Sequence, residues 1–134
     1  MIDIQVLEVD APNLDYVEGW FQKVSEEEGK NLAELSIVLG TDDWLLDQNI
    51  QFLNHDFYTD IITFDYCVQD ILSGDLLISL ERVEENAIEY NVSRETELNR
   101  VLVHGLLHLC GYGDKTAKEI EIMRKKEDYY LALL

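Results

Sequence analysis

Two histidines four residues apart are followed, beyond a glycine, by a carboxylate in the run His104-Gly-Leu-Leu-His108-Leu-Cys-Gly111-Tyr-Gly-Asp114. Side chains at i and i+4 share one helix face, so both imidazoles can converge on a single ion. Gly111 is free to take the left-handed conformation that ends a helix, which lets the chain double back and carry Asp114 toward the same ion. Two neutral nitrogens and one anionic oxygen, with a fourth position open, form the donor set of a catalytic zinc; a structural zinc is usually closed by four. The spacing predicts a metal-dependent hydrolase whose ligands are His104, His108 and Asp114. The competing reading is a pair of hydrogen-bonded core histidines, because the flanking run Val101 to Cys110 is apolar nearly all round and marks a buried helix. Either way the rings need partners, since an unsatisfied buried polar group costs about 1–3 kcal/mol. Cys110 lies about 200° round the helix from His108 and reads as a small buried hydrophobe.

The residue after the first histidine separates hydrolase types. H-E-x-x-H metalloproteases place their general base there, and here the position is Gly105. The spacing H-x-x-x-H-x-x-G-x-x-D resembles the metzincin pattern with its last histidine exchanged for aspartate, but without a base, so peptide hydrolysis is disfavoured. Two histidines and one carboxylate also make the facial triad of iron(II) oxygenases, although no co-substrate pocket is evident in the sequence.

The run from His104 to Asp114 resembles the H-G-x-L-H-L-x-G-Y-D-H signature of the YbeY family, metal-dependent endoribonucleases of ribosomal RNA maturation, matching every fixed position over residues 104–112 and carrying Gly113 where the family has its aspartate. Upstream, Thr59-Asp-Ile-Ile-Thr-Phe64 resembles the family's T-[DN]-V-L-S-F strand and Gly74-Asp-Leu-Leu-Ile78 its G-D-I-x-I strand. Asn49 and Asp56 fall in register with its L-N-x-x-Y-R-x-x-D segment, so the similarity spans most of residues 36–114. The resemblance implies a single-strand-specific, zinc-dependent endoribonuclease holding one Zn2+, acting on ribosomal RNA at the 16S 3′ end. It also implies the small ribosomal subunit or assembly proteins as partners, with neither DNA nor a membrane involved.

Two departures from the family stand out. Its third ligand is a histidine at the position of Asp114; an aspartate ligates zinc at roughly 2.0–2.2 Å, adding a negative charge that makes the ion a weaker Lewis acid. Its arginine, held to grip phosphate, aligns with Leu53, and an apolar side chain cannot imitate a bidentate guanidinium. His55, Arg82, Arg94 and Arg100 are the candidate replacements, each with an alternative reading as a solvated surface residue.

Composition sets outer bounds. The 134 residues fit one domain, 1–134, and 47% hydrophobic residues suffice for a core. The amino terminus lacks the basic segment and apolar run of a signal peptide, no stretch approaches the ~18 apolar residues of a membrane span, and two cysteines make no disulfide framework, so a cytoplasmic protein is expected. A net charge of -18 works against RNA affinity, which draws on phosphate neutralisation by Lys and Arg. The acidic runs at residues 25–28 and 81–89 read as solvated helix faces. Such a surface predicts weak unspecific affinity for naked RNA and docking through a partner.

The elements that must position these residues follow from patterning. Ile2 to Val9 alternates as a strand, and Leu14 to Glu28 carries apolar residues at helical spacing. Glu34 to Leu39 is a second strand, and Thr41 caps a helix containing Trp44, Leu45 and Phe52. Ile61 to Phe64 and Leu76 to Leu80 read as two further strands around a loop near Ser73-Gly74. Ser79 opens a helix to Tyr90, Ser93 opens the histidine helix, and Thr116-Ala-Lys-Glu119 is a capping box starting the last one. The order predicts an α+β fold, a small mixed four-stranded sheet packed with about five helices, one of them a zincin-like metal-bearing helix. Tyr58, Phe64, Tyr66 and Tyr112 are candidate base-stacking residues or, equally, core and rim. The general base is not identifiable at this stage. A metal-stabilised ribosome-assembly factor that does not cut is the alternative to the nuclease.

Overall fold

A computed structural model describes residues 1–134. Its elements run β1 (Ile2–Val6), α1 (Val17–Glu27), β2 (Asn31–Gly40), α2 (Asp42–Leu53), β3 (Ile61–Asp65), β4 (Ile71–Ser79), α3 (Leu80–Tyr90), α4 (Arg94–Leu109) and α5 (Ala117–Leu131). The sheet order is β1-β2-β4-β3, with β1, β2 and β4 parallel and β3 antiparallel at the edge. The expected α+β class, four strands and five helices are all present. No helix is long and apolar enough to cross a membrane.

The caps are those the sequence announces. Thr41, Ser79, Ser93 and Thr116 each accept the backbone N–H three residues on, and Glu119 closes the capping box on Thr116. Boundaries differ where local geometry overrides periodicity. β1 stops at Val6 because Glu8 takes a left-handed conformation. In α1 the helix begins at Val17, after Asn13 accepts the N–H of Asp15 in a local turn. β2 starts three residues before its expected start, since a register shift between Leu32 and Leu35 breaks the alternation that would reveal it.

One correction concerns the loop expected near Ser73-Gly74. Both residues lie inside β4, where Gly74 pairs with Leu35 on one side and Asp65 on the other, and the connection from β3 is made by residues 66–70. Glycine is required there by close approach: a Cβ at 74 would strike the Phe64 carbonyl and sit 3.1 Å from Leu109 of α4.

α4 is the central helix. Leu98, Val101, Leu102, Val103, Leu106, Leu107 and Leu109 are buried among the apolar side chains of the sheet and neighbouring helices. Gly105 faces the sheet, where a Cβ would lie 2.8 Å from both Ile61 Cδ1 and Leu76 Cδ2. That packing explains why no glutamate follows the first histidine: position 105 points into the β3–β4 interface and not toward the ligands.

Candidate metal centre

α4 ends in a Schellman motif. The N–H of Gly111 donates to His108 O and that of Tyr112 to Leu107 O, with Gly111 at φ 107°. The turn reverses the chain, and the Tyr112 carbonyl comes back to accept from His108 Nδ1 at 2.8 Å. His104 Nδ1 meets Glu127 Oε2 of α5 at 2.7 Å. A carbonyl and a carboxylate are acceptors only, so each Nδ1 is placed to donate and each Nε2 is left as the ring's candidate ligand atom.

The two Nε2 atoms face each other. His104 Nε2 lies 2.9 Å from His108 Nε2, and Asp114 Oδ2 lies 3.3 Å and 3.2 Å from them. Three acceptors in a triangle repel unless a proton or a cation sits among them. Ligand atoms about 2.0–2.1 Å from a tetrahedral ion stand roughly 3.3 Å apart, close to the edges seen here. The geometry fits a metal better than a pair of satisfied core histidines, and the structure brings together the three residues the sequence singled out. Cys110 is not among them. Burial pushes its thiol up to about 12, as expected of an inert buried cysteine.

Glu127 is the residue that sequence reasoning missed. Its carboxylate is nearly buried, accepts from His104 and receives Arg100 Nη1 at 2.9 Å. Burial works against its charge, but the His104 and Arg100 contacts hold it below the ordinary carboxylate range. Burial likewise opposes charge on His104, yet Glu127, with Asp114 and Asp60 beyond it, holds that ring above its usual value. Only the general rule that a metal-binding histidine donates its other N–H to a carboxylate could have flagged such a residue, and 28 acidic residues offered no way to choose. Glu127→Gln is expected to weaken zinc affinity about 10–100-fold while leaving the fold intact, measured by competition with a chromogenic chelator.

The returning loop is pinned from below. Glu28, at the end of α1, accepts from Tyr112 Oη at 2.7 Å, from Lys126 Nζ at 3.1 Å and from Tyr130 Oη. Burial resists its ionisation, but these three donors win and depress its pKa. A depressed carboxylate contributes stability above its unfolded value that is lost as pH falls through the folded one. Urea titrations should therefore show Glu28→Gln less stable than the parent by about 1–3 kcal/mol at pH 7, with the gap closing as pH falls below 4.5.

Two cavities meet at the cluster. One, of about 320 Å³, lies between α3, α4 and α5 and includes Glu97, Arg100, Arg124 and Glu127; the other, of about 440 Å³, lies against β3 and the end of α2 and includes Leu53, His55, Phe57 and Thr63. Asp60, Ile61, His104 and Asp114 line both. Burial holds the Asp60 carboxyl above the ordinary range, against the pull of His104 and of the backbone N–H groups of Asp60 and Ile61. Leu53 does face the second cavity, so the position where the family has arginine is apolar in fact.

The expected replacements fare differently. Arg82 is bidentate to Asp42 and also meets Glu85, Arg94 pairs with Glu84 and the Asp10 carbonyl, and neither lines either of these two cavities. Arg100 reaches the first cavity but is spent on Glu127 and Asp128. His55 lines the second cavity and stacks on Phe57, centroids 5.2 Å apart. Asn49 holds that segment by donating to the Phe57 carbonyl at 2.9 Å. None of the expected stacking residues lines either cavity. Tyr112 is locked to Glu28, Tyr58 donates to Asp43, and Phe64 packs edge-on against Phe52. The aromatic rings that do line the two cavities are Tyr90 in the first and Phe57, with His55, in the second.

The fold and this cluster define a small α+β protein with a candidate metal centre built on one helix and its returning loop. The family model described as endoribonuclease YbeY matches residues 4–134, and the chain belongs to that family. Endoribonuclease YbeY of Phocaeicola vulgatus is 46% identical over 136 residues, covering 100% of this chain and 99% of that protein. Its counterpart in Flavobacterium johnsoniae is 49% identical over 114 residues, 85% of this chain and 82% of that one. The solution structure of TM1509 from Thermotoga maritima superposes with a TM-score of 0.70 at 29% identity, over 98% of this chain and 87% of that one.

Proposed function

We propose that this chain is a zinc-dependent endoribonuclease that hydrolyses phosphodiesters of single-stranded ribosomal RNA during maturation of the 16S 3′ end. It works in the cytoplasm as one domain, with the small ribosomal subunit or its assembly proteins as partners. His104 Nε2, His108 Nε2 and Asp114 Oδ2 hold the ion. The observation that carries this reading is the close triangle of two imidazole Nε2 atoms and a carboxylate oxygen at the junction of two cavities.

When bound, zinc supplies a Lewis acid for the phosphate oxygen and lowers the pKa of a water toward 7. The protein's own groups do the rest. Glu127 and the Tyr112 carbonyl fix both imidazole tautomers. Asp60, the one titratable non-ligand lining both cavities, accepts the proton of the attacking water at a carboxylate oxygen. The new P–O bond forms as the bond to the leaving ribose oxygen breaks, giving a phosphomonoester and a hydroxyl. The β3 edge and Phe57 offer a surface for an unpaired strand.

A second reading is favoured by one observation: the cavity containing Leu53 holds no Lys or Arg. In that reading the metal only stabilises a ribosome-assembly factor. One assay separates the two: labelled single-stranded and duplex RNA incubated with chelator-stripped and zinc-restored protein. Cleavage of the single strand that appears only on restoring zinc is expected. Intact RNA in the presence of stoichiometric zinc sinks the nuclease and leaves the assembly factor.

A further inference from the structure

We propose that Arg124 is the phosphate-positioning cation of this site, and that the RNA strand continues from the metal cluster into the cavity between α3, α4 and α5. The inference rests on the endoribonuclease reading above. A phosphodiester must find positive charge on a chain of net -18. Of the ten Lys and Arg residues, only Arg100 and Arg124 line either cavity at the cluster.

Arg100 is already paired with two carboxylates. Its Nη1 and Nη2 are taken by Glu127 at 2.9 Å and Asp128 at 2.8 Å, and its side chain is 22% exposed. The Arg124 side chain is 59% exposed, and its one carboxylate neighbour is Glu127 Oε1 at 3.6 Å, beyond hydrogen-bond range. That carboxylate already serves Arg100 and His104. The Arg124 fork is therefore available for two parallel N–H···O bonds to a phosphate, in the cavity that His104 and Asp114 also line.

The remaining walls sharpen the case. Asp60, Glu97 and Glu127 make this cavity hostile to an anion unless a cation answers them. The opposite cavity has Leu53, Phe57 and His55 and no Lys or Arg, a lining suited to a base and not to a phosphate. The two sides of the cluster are thus chemically distinct: a base rests against β3, and the next phosphate is drawn to α5.

The test compares zinc-loaded parent, Arg124→Gln and Arg124→Lys on one single-stranded RNA over a salt series. The expected result for Arg124→Gln is a KM raised about 10-fold or more. Its plot of log KM against log salt should be flatter by about 0.7, the increment for one phosphate on a single strand. Zinc affinity and melting temperature stay unchanged, and Arg124→Lys recovers part of the KM. Oligomers with a neutral methylphosphonate at single positions add a cycle: one position should mimic the variant's loss in the parent and cost nothing further in Arg124→Gln. Unchanged KM and slope, or a variant that alters zinc affinity alone, overturns the proposal. Should the parent fail to cut, the nuclease reading fails by itself, and anisotropy of the same labelled RNA over the same salt series still decides Arg124.

Discussion

His108→Ala is expected to abolish zinc binding at stoichiometric metal and to bring RNA cleavage to background. The expectation follows from the number of donors. Three protein ligands are the minimum of a catalytic zinc, and removing one leaves two donors, with nothing nearby to replace the third because Cys110 points elsewhere. The fold has little reason to suffer. His108 sits at the end of α4, partly exposed, and makes one hydrogen bond that its loss forfeits, about 1 kcal/mol. Removing its lone pair from the metal-free triangle offsets part of that. Thermal melts separate loss of metal from loss of fold. In the parent, zinc at 100 times its dissociation constant should add about 2.7 kcal/mol, roughly 10 °C for a domain of this size. His108→Ala should show no zinc-dependent rise, and its metal-free melt should match the metal-free parent within a few degrees. A variant that still cuts RNA at the parent's rate after metal stripping and restoration would remove His108 from the site.

Much of this centre was legible because it is local. His104 and His108 share a helix face by arithmetic, and Gly111 announces the Schellman turn that returns Asp114. Four helix starts were readable from side chains that bond three residues on. What escaped were contacts made across the fold. Glu127 is 23 residues from His104 in sequence, and no local pattern marks which acidic residue of a -18 chain will turn inward. Gly74 read as a turn because glycine usually breaks strands, whereas here Leu109 and the Phe64 carbonyl leave no room for a side chain. The same lesson applies to charge. Arg82, Arg94 and Arg100 each looked available until their carboxylate partners were placed, and Arg124 drew no notice because nothing in its local sequence points at the cluster.

Gly105 bears on where a base can stand. A hydrolase with glutamate after its first histidine keeps ligand and base on one helix, which requires that helix to leave position 105 open to the substrate. Here that position is pressed against Ile61 and Leu76, which leaves no room for such a base. Ile61 itself begins β3, and the residue before it is Asp60. The close packing of α4 on β3 that leaves no room for a base on the helix sets Asp60, the base proposed above, just before the strand and beside the cluster.

Asp60→Asn is accordingly expected to slow RNA cleavage sharply. The amide keeps the shape of the carboxylate but cannot accept a proton, and loss of a general base costs about 10²–10⁴-fold in kcat. KM and zinc stoichiometry should hold, because Asp60 is not among the ligands. The acid limb of the kcat/KM profile should vanish together with the rate. Stability should move the other way. Burial raises the Asp60 pKa in the folded metal-free protein, so the folded state binds this proton more tightly than the unfolded one. Between the two pKa values the native chain holds more protons, and the stability from Asp60 is present below the unfolded value and lost as pH rises through the folded one. Replacing it by Asn removes that loss. Metal-free Asp60→Asn should therefore match the parent in acid and equal or exceed it in stability at pH 7, while cleaving RNA far more slowly. A group that lowers stability yet is needed for rate has the signature of a functional residue. A variant that cuts within twofold of the parent would place the base elsewhere, with Glu97, buried in the neighbouring cavity and held above its ordinary range first by burial and then by Asp60, the next to replace.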